Sequence, residues 1–314
     1  MNVLVTGASG FLGSRLCSVL QRDQHITLTA CVRKGSSAAV GRAVEISSID
    51  SATDWKRALE GQEVVIHTAA RAHIMKDEVA DSLEEYKKVN VDGTLNLARQ
   101  AFSAGVERFI FISSIKVNGE QTPLSQSFTA EDTPSPEDAY GISKWEAEQG
   151  LRQLATEIGM DVVIIRPPLV YGPGVKGNFA SMAKLVAGGL PLPLGAVKNQ
   201  RSLVSLDNLV DLIITCIHHP AAANQVFLAG DGRDLSTTEL LQGVAKAMSV
   251  PSRLLPVPTP LLTLLATLVG KKKIADRLFG SLQVDITKTR DLLGWTPPVS
   301  VEEGLRRCFE SDLK

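Results

Sequence analysis

Cysteine is scarce: four in 314 residues, at positions 17, 31, 216 and 308, without metal-ligand spacing or the density of a disulfide framework. All four are expected to be small buried hydrophobes in a reducing compartment, and no metal site is expected. Charge of one sign is lacking too. The 33 basic and 34 acidic residues leave a net charge of −1, no electrostatic footprint for nucleic acid or anionic lipid. The expected partner is a small molecule. Long apolar runs are missing, with one near-exception. Residues 254–269 carry almost no charge and precede Lys271-Lys272-Lys273. A spanning helix needs about 20 apolar residues. Pro256, Pro258 and Pro260 break this stretch and leave Leu261 to Val269, about 14 Å of helix. A core helix of a second lobe is therefore expected across 254–273 rather than membrane insertion or a surface anchor. The amino terminus runs straight into a strand, Asn2 to Thr6, with no signal-type apolar core before it. The cytoplasm is the expected location.

What is present is ordinary globular usage, 44% apolar and 21% charged. The first half alternates short β-branched runs with amphipathic stretches, the pattern of an α/β fold with a doubly wound parallel sheet. Strands are predicted at Val3–Val5, Ile26–Val32, Val64–His67, Phe109–Ser113 and Val162–Arg166, and helices from near Phe11, Trp55, Asp81 and Pro136. Beyond Arg166 the Pro-Pro and Gly-Pro-Gly punctuation makes loops dense. Residues 1–166 are expected to form a dinucleotide-binding domain of Rossmann type, with 226–228 returning to it as a strand. Residues 167–314 are expected to form a smaller α/β substrate lobe.

Thr6-Gly7-Ala8-Ser9-Gly10-Phe11-Leu12-Gly13 follows a strand and opens a helix. Small residues there let the backbone approach a pyrophosphate, while the free amides and positive end of the helix face the anion. Gly7, Ser9, Gly10, Phe11, Leu12 and Gly13 are the predicted cradle. The next strand ends Val32-Arg33-Lys34 with no carboxylate for a ribose 2′-hydroxyl. Arg33 can pair with a 2′-phosphate, so NADP(H) is favoured and NAD(H) is the alternative.

Tyr140 and Lys144 are four apart and share a face if the stretch is helical, with Ser135 as cap and Pro136 in the first turn. A free tyrosine titrates near 10. An ammonium about 4 Å away contributes roughly 4 kcal/mol at an effective dielectric of 20, about three pKa units, which brings the phenol near neutrality. Such a phenol can take a proton from a sugar hydroxyl or give one to a carbonyl. Ser113 and Ser114 end the fifth strand, and Ser114 is the predicted hydroxyl that binds the reacting oxygen and relays its proton.

These motifs, with His67-Thr-Ala-Ala70, Asn90-Val-Asp-Gly-Thr94, Arg166-Pro-Pro-Leu-Val-Tyr-Gly-Pro173 and Leu293-Gly-Trp-Thr-Pro297, resemble the extended short-chain dehydrogenase/reductase family. Its nucleotide-sugar group contains 4-epimerases, dehydratases and 4-ketoreductases. The resemblance implies that Thr68, Ala69 and Ala70 wall the cofactor and that Asn90 supports the active-site helix. Ser113 would border the cofactor, and Lys144 would also hold the nicotinamide ribose. Pro167 to Leu169 would pack near the ring, and Ser48 and Ile49 would stand near adenine. For the substrate it implies Asn178 and Phe179 at a diphosphate, Leu192 and Leu194 around uracil, and Arg201 and Arg277 as phosphate clamps. Homodimers built through the helices that begin near Asp81 and Pro136 are implied as well, with Leu83, Leu95 and Leu97 on a buried face.

Where the dehydratases carry an Asp-Glu pair this chain has Ile115-Lys116, so 4,6-dehydration is not expected. With Arg33 favouring an exchangeable NADPH, the leading expectation is a reductase at carbon 4 of a UDP-4-keto-6-deoxy-N-acetylhexosamine, serving bacterial surface polysaccharide. A UDP-hexose 4-epimerase with tightly held NAD is the alternative. A non-catalytic dinucleotide sensor is the reading from another class, and the intact Tyr140–Lys144 pair speaks against it.

Overall fold

A computed structural model describes residues 1–36, 40–72 and 82–310. Nine strands are found among them: β1 (Asn2–Thr6), β2 (Thr27–Arg33), β3 (Arg42–Ile46), β4 (Val64–His67), β5 (Arg108–Ile112), β6 (Asp161–Arg166), β7 (Leu169–Tyr171), β8 (Leu203–Ser205) and β9 (Val226–Leu228). The helices are α1 (Phe11–Leu20), α2 (Lys56–Leu59), α3 (Ser82–Lys87), α4 (Thr94–Ser103), α5 (Ala139–Ile158), α6 (Asn178–Ala187), α7 (Leu206–His218), α8 (Thr237–Ala247), α9 (Thr259–Leu268), α10 (Lys272–Phe279), α11 (Thr287–Leu293) and α12 (Val301–Arg307).

Seven strands form one parallel sheet in the order β3-β2-β1-β4-β5-β6-β9. Alternate side chains divide between its faces, as the pleat requires. Val3, Val5, Ile110 and Ile112 pack on one side with Leu16, Leu209, Ile213 and Trp295. Leu4, Val65, Phe109 and Phe111 pack on the other with Leu97, Ala147 and Leu151. This is a Rossmann-type doubly wound sheet. The strand order reverses between β1 and β4, and the crevice at their carboxyl ends is the usual ligand site of such a sheet. A smaller cluster gathers Tyr171, Phe179, Leu203, Leu241, Val244, Val301 and Leu305 around the β7–β8 pair.

Several predictions change. Strand β3 was not expected, because Arg42-Ala-Val-Glu-Ile46 exposes three of its five residues and carries only a weak apolar signal. The active-site helix begins at Ala139, not Pro136: the Asp138 carboxylate accepts from the Gly141 amide at 2.7 Å, so Asp138 is the cap and Ser135 precedes the helix. The helix expected near Asp81 is described from Ser82, and Asp81 lies outside the described residues. Leu97 is fully buried within this chain, and Leu95 is part-buried against Gly150 of α5. All four cysteines are buried and free. The largest correction concerns α9. It buries none of its residues, and Leu264, Leu265 and Leu268 are more than half exposed, so it is no core helix. Among the described residues no helix is long and apolar enough to cross a membrane.

Candidate active site

Gly7 sits at φ +69°, and a Cβ there would lie 2.8 Å from the amide nitrogen of Ala69. A Cβ on Gly13 would lie 2.2 Å from the Gly7 carbonyl oxygen. The turn is therefore closed tightly enough that only hydrogen fits at both places. No side chain caps α1, so its first-turn amides remain free beside exposed Ser9 and Gly10. Phe11 and Leu12 are part-buried at this end of the helix. Across the crevice the Thr68 hydroxyl donates to the Thr6 carbonyl at 2.7 Å, fixing the wall of Thr68, Ala69 and exposed Ala70. This cradle fits a dinucleotide's pyrophosphate. The Ala8 amide donates to the Cys31 carbonyl, which draws the end of β2 and exposed Arg33 toward the turn. Ser48 and Ile49 follow β3, with Ile49 packed against Gly93.

The catalytic candidates come from two elements that meet at another glycine. A Cβ on Gly141 would be 2.8 Å from the Lys116 carbonyl oxygen, so the first turn of α5 rests on the single 3₁₀ turn Ile115–Val117. Lys116 ties the two together by ion pairs with Asp138 and Glu120. Ser114 caps the 3₁₀ turn, its hydroxyl accepting from the Lys116 amide at 3.3 Å, and keeps its own proton to donate. Tyr140 is part-buried, its ring edge-on to Tyr86 at 5.9 Å. Lys144 lies one turn on. It is 2% exposed, donates to the Ile112 carbonyl at 2.8 Å and sits 4.4 Å above the Phe111 ring.

The electrostatics differ from the sequence expectation. Lys144 Nζ stands 6.0 Å from the Tyr140 ring centre, and burial draws its pKa down to about 7, opposed by Glu148. Burial, then the charge on Asp138 and then Tyr86, push the Tyr140 phenol well above its ordinary value. With only protein around it the phenol is a proton donor. The expected fall to neutrality fails because desolvation of both groups outweighs a half-protonated ammonium at this separation.

A buried network holds the floor. Glu148 accepts from Arg166 Nε at 2.9 Å, from Arg166 Nη2 at 2.6 Å and from the Ser113 hydroxyl at 2.5 Å. Arg166 Nη1 donates to Asn118 at 2.9 Å. Ser113 thus turns into the core, leaving part-buried Ser114 as the strand-end hydroxyl outside this network. The Asn90 amide nitrogen donates to Ser143 and to the Arg71 carbonyl, both at 3.0 Å, from a π-helical stretch Lys88–Gly93 between α3 and α4. His67 joins Thr6 at 2.7 Å and Thr94 at 3.0 Å. Burial, with some repulsion from Lys144, depresses its pKa to about 3, so it is neutral. Glu148 was missed in the sequence, although Tyr140, Lys144 and Glu148 recur every fourth residue along one helical face.

Pro167 is buried and accepts from the Ile115 amide at 3.0 Å, while Leu169 is 38% exposed. In the smaller lobe, Arg201 Nη1 donates to the carbonyls of Arg277 at 3.2 Å and Gly280 at 3.0 Å. Burial and the neighbouring Arg277 charge both lower the Arg201 pKa. Among the described residues neither arginine has a carboxylate partner. Asn178 is exposed at the start of α6. The Phe179 ring stacks on Tyr171 in the core, so only its backbone can meet a ligand. Leu192 and Leu194 are part-buried in the strip that pairs with Arg253 and Leu255.

Residues 3–230 match the model of the NAD dependent epimerase/dehydratase family. The chain belongs to this family. A UDP-glucose 4-epimerase of Vibrio cholerae is 49% identical across all of this chain and 96% of its own length. The N-acetyl-alpha-D-glucosaminyl-diphospho-ditrans,octacis-undecaprenol 4-epimerase of Escherichia coli O157:H7 is 30% identical over 99% of this chain and 95% of its own. Among solved structures, the UDP-glucose 4-epimerase of Thermotoga maritima with UDP-glucose covers both chains fully at 25% identity and a TM-score of 0.78. These findings make the chain an enzyme that uses a nicotinamide dinucleotide. They also overturn the expectation of a 4-ketoreductase: a relative this similar over the whole length is an epimerase, and Ser114, Tyr140 and Lys144 would serve either reaction equally.

Proposed function

We propose that the chain is a UDP-hexose 4-epimerase interconverting UDP-glucose and UDP-galactose. The near-half identity to a UDP-glucose 4-epimerase across the full length carries this reading. The site supplies its chemistry. Inverting carbon 4 requires breaking a C–H bond whose hydrogen is not acidic, so that hydrogen must depart as hydride. When bound, oxidised nicotinamide would supply the hydride acceptor and a positive charge that favours the phenolate. Tyr140 takes the proton from the 4-hydroxyl as hydride leaves, with Ser114 donating to the same oxygen. The buried Lys144 ammonium, near its own midpoint at neutral pH, stabilises the phenolate while it exists. Inversion would require the keto sugar to present its other face to the same hydride carrier, and Tyr140 gives the proton back to its oxygen.

Gly7, Ser9, Gly10 and the first amides of α1 would hold the pyrophosphate, with Thr68 to Ala70 as the facing wall and Asn90 bracing α5. We take NAD as the dinucleotide, because an epimerase regenerates its cofactor in every cycle and has no need to exchange it. This sets aside the NADP(H) preference drawn from Arg33. Arg201 and Arg277, without a carboxylate partner among the described residues, would clamp the sugar-nucleotide diphosphate together with Asn178 and the Phe179 amide, and Leu192 and Leu194 would flank the base. We keep the cytoplasm as its compartment, on the strength of four buried free thiols, and a homodimer as its assembly.

Incubation with UDP-galactose and no added cofactor should yield UDP-glucose. Tyr140→Phe should slow this by roughly 10²- to 10⁴-fold while leaving the fold intact. No interconversion, together with stoichiometric NADPH consumption on a 4-keto sugar, would contradict the reading.

A further inference from the structure

Helix α9 has no buried residue although five of its ten residues are leucine. Leu268 and Val269 are 74% and 67% exposed, Leu264 and Leu265 more than half, and Ile274 on α10 likewise. Soluble surfaces rarely leave so contiguous an apolar patch uncovered. Its polar atoms are already spent: the Thr263 hydroxyl donates to the Thr259 carbonyl at 3.0 Å and the Thr267 hydroxyl to the Thr263 carbonyl at 2.8 Å. The helix can therefore enter an apolar medium without leaving a donor unpaired.

The charge on the α9–α10 hairpin is predominantly positive: Lys271, Lys272, Lys273 and Arg277 stand against a single acid, Asp276. Between residues 240 and 275 the sequence has no aspartate or glutamate, while Lys271 and Lys272 are exposed at the α9–α10 corner. Neither lysine has a carboxylate partner among the described residues. A second copy of the chain seated here would bring two lysine clusters together, which like-charge repulsion opposes. An anionic lipid surface answers both features, apolar depth and negative headgroups.

We propose that the α9–α10 hairpin docks the protein on an anionic bilayer, α9 lying in the interface rather than crossing it. Ten residues give about 15 Å of helix, too short to span. The docking element is mechanically joined to the candidate substrate cleft, because Arg201 grips the carbonyls of Arg277 and Gly280 at the far end of α10. The proposal does not depend on which sugar is turned over.

Flotation of the full chain with phosphatidylcholine vesicles, with and without phosphatidylglycerol, tests it. The protein should float only with the anionic vesicles and be released by high salt. Leu264→Asp with Leu268→Asp should abolish flotation. Lys271→Gln with Lys272→Gln should weaken it roughly tenfold or more. Both variants should turn over soluble substrate at the wild-type rate, which shows them folded. Three outcomes would overturn the proposal: no flotation of the wild type, equal flotation of the leucine variant, or sedimentation showing that the leucine substitutions break a dimer, which would assign the face to a second copy.

Discussion

Replacing Lys144 by methionine separates what this lysine costs the fold from what it does for the reaction. The ammonium is almost wholly buried, and burial lowers its pKa from 10.5 to about 7. At roughly 1.4 kcal/mol per pH unit this corresponds to about 5 kcal/mol. Because the folded value lies below the unfolded one, the unfolded chain binds more protons between about 7 and 10.5. Stability should climb with pH across that window, and the full penalty applies below it. Methionine has similar length and no charge. It forfeits the hydrogen bond to the Ile112 carbonyl and the seat over Phe111, each worth about 1 kcal/mol. Lys144→Met should then be more stable than the wild type by about 2–3 kcal/mol near pH 6.5, and its stability should stay flat where the wild type climbs. Turnover should fall by roughly 10²-fold or more. Urea unfolding of nucleotide-free protein followed by tryptophan fluorescence, at mildly acidic and at alkaline pH, measures both quantities. A variant no more stable than the wild type at the acidic pH, with the same rise toward alkali, would refute this account of the buried ammonium.

Glu148→Gln leaves the Arg166 guanidinium buried without its counter-charge, which should destabilise the protein by about 3–5 kcal/mol; denaturant midpoints of the two proteins decide it. Gly13→Ala sets a methyl 2.2 Å from the Gly7 carbonyl oxygen and should open the phosphate turn. The purified variant should therefore lose co-purifying dinucleotide, read by absorbance or mass, while keeping its secondary structure. His67 must stay neutral with a folded pKa of about 3 against 6.5 unfolded. Its contribution is intact above pH 6.5 and lost as acid approaches the lower value, about 3 kcal/mol by pH 4.5. His67→Asn should lose less stability than the wild type between neutral pH and about 4.5 in the same unfolding assay.

The parts legible in the sequence are those fixed by local chemistry. The phosphate turn announces itself because Gly7 and Gly13 cannot be other residues, and Tyr140 and Lys144 fall together once α5 is a helix. What depends on tertiary contact was not legible. Ser113 and Ser114 look equivalent until Glu148 draws one of them into the core. Ser135 and Asp138 are both good caps, and only the fold shows the second accepting from the Gly141 amide and pairing with Lys116. An exposed apolar helix and a core helix share one composition, so α9 could not be placed from its leucines. The net charge of −1 concealed a local stretch with lysines and no acids. Epimerase and reductase use the same three side chains, so nothing in the motif could separate them. The missing carboxylate after β2 led toward the reductase, the reading that the 49% identical epimerase overturns.

Substrate carrying deuterium on carbon 4 of its sugar puts the account to its sharpest test. If hydride leaves that carbon and returns to it within one closed cleft, UDP-galactose labelled there should become UDP-glucose with the deuterium still on carbon 4, in water and without added nucleotide. Product that has exchanged its deuterium for solvent hydrogen, or label collected on free cofactor, would contradict it.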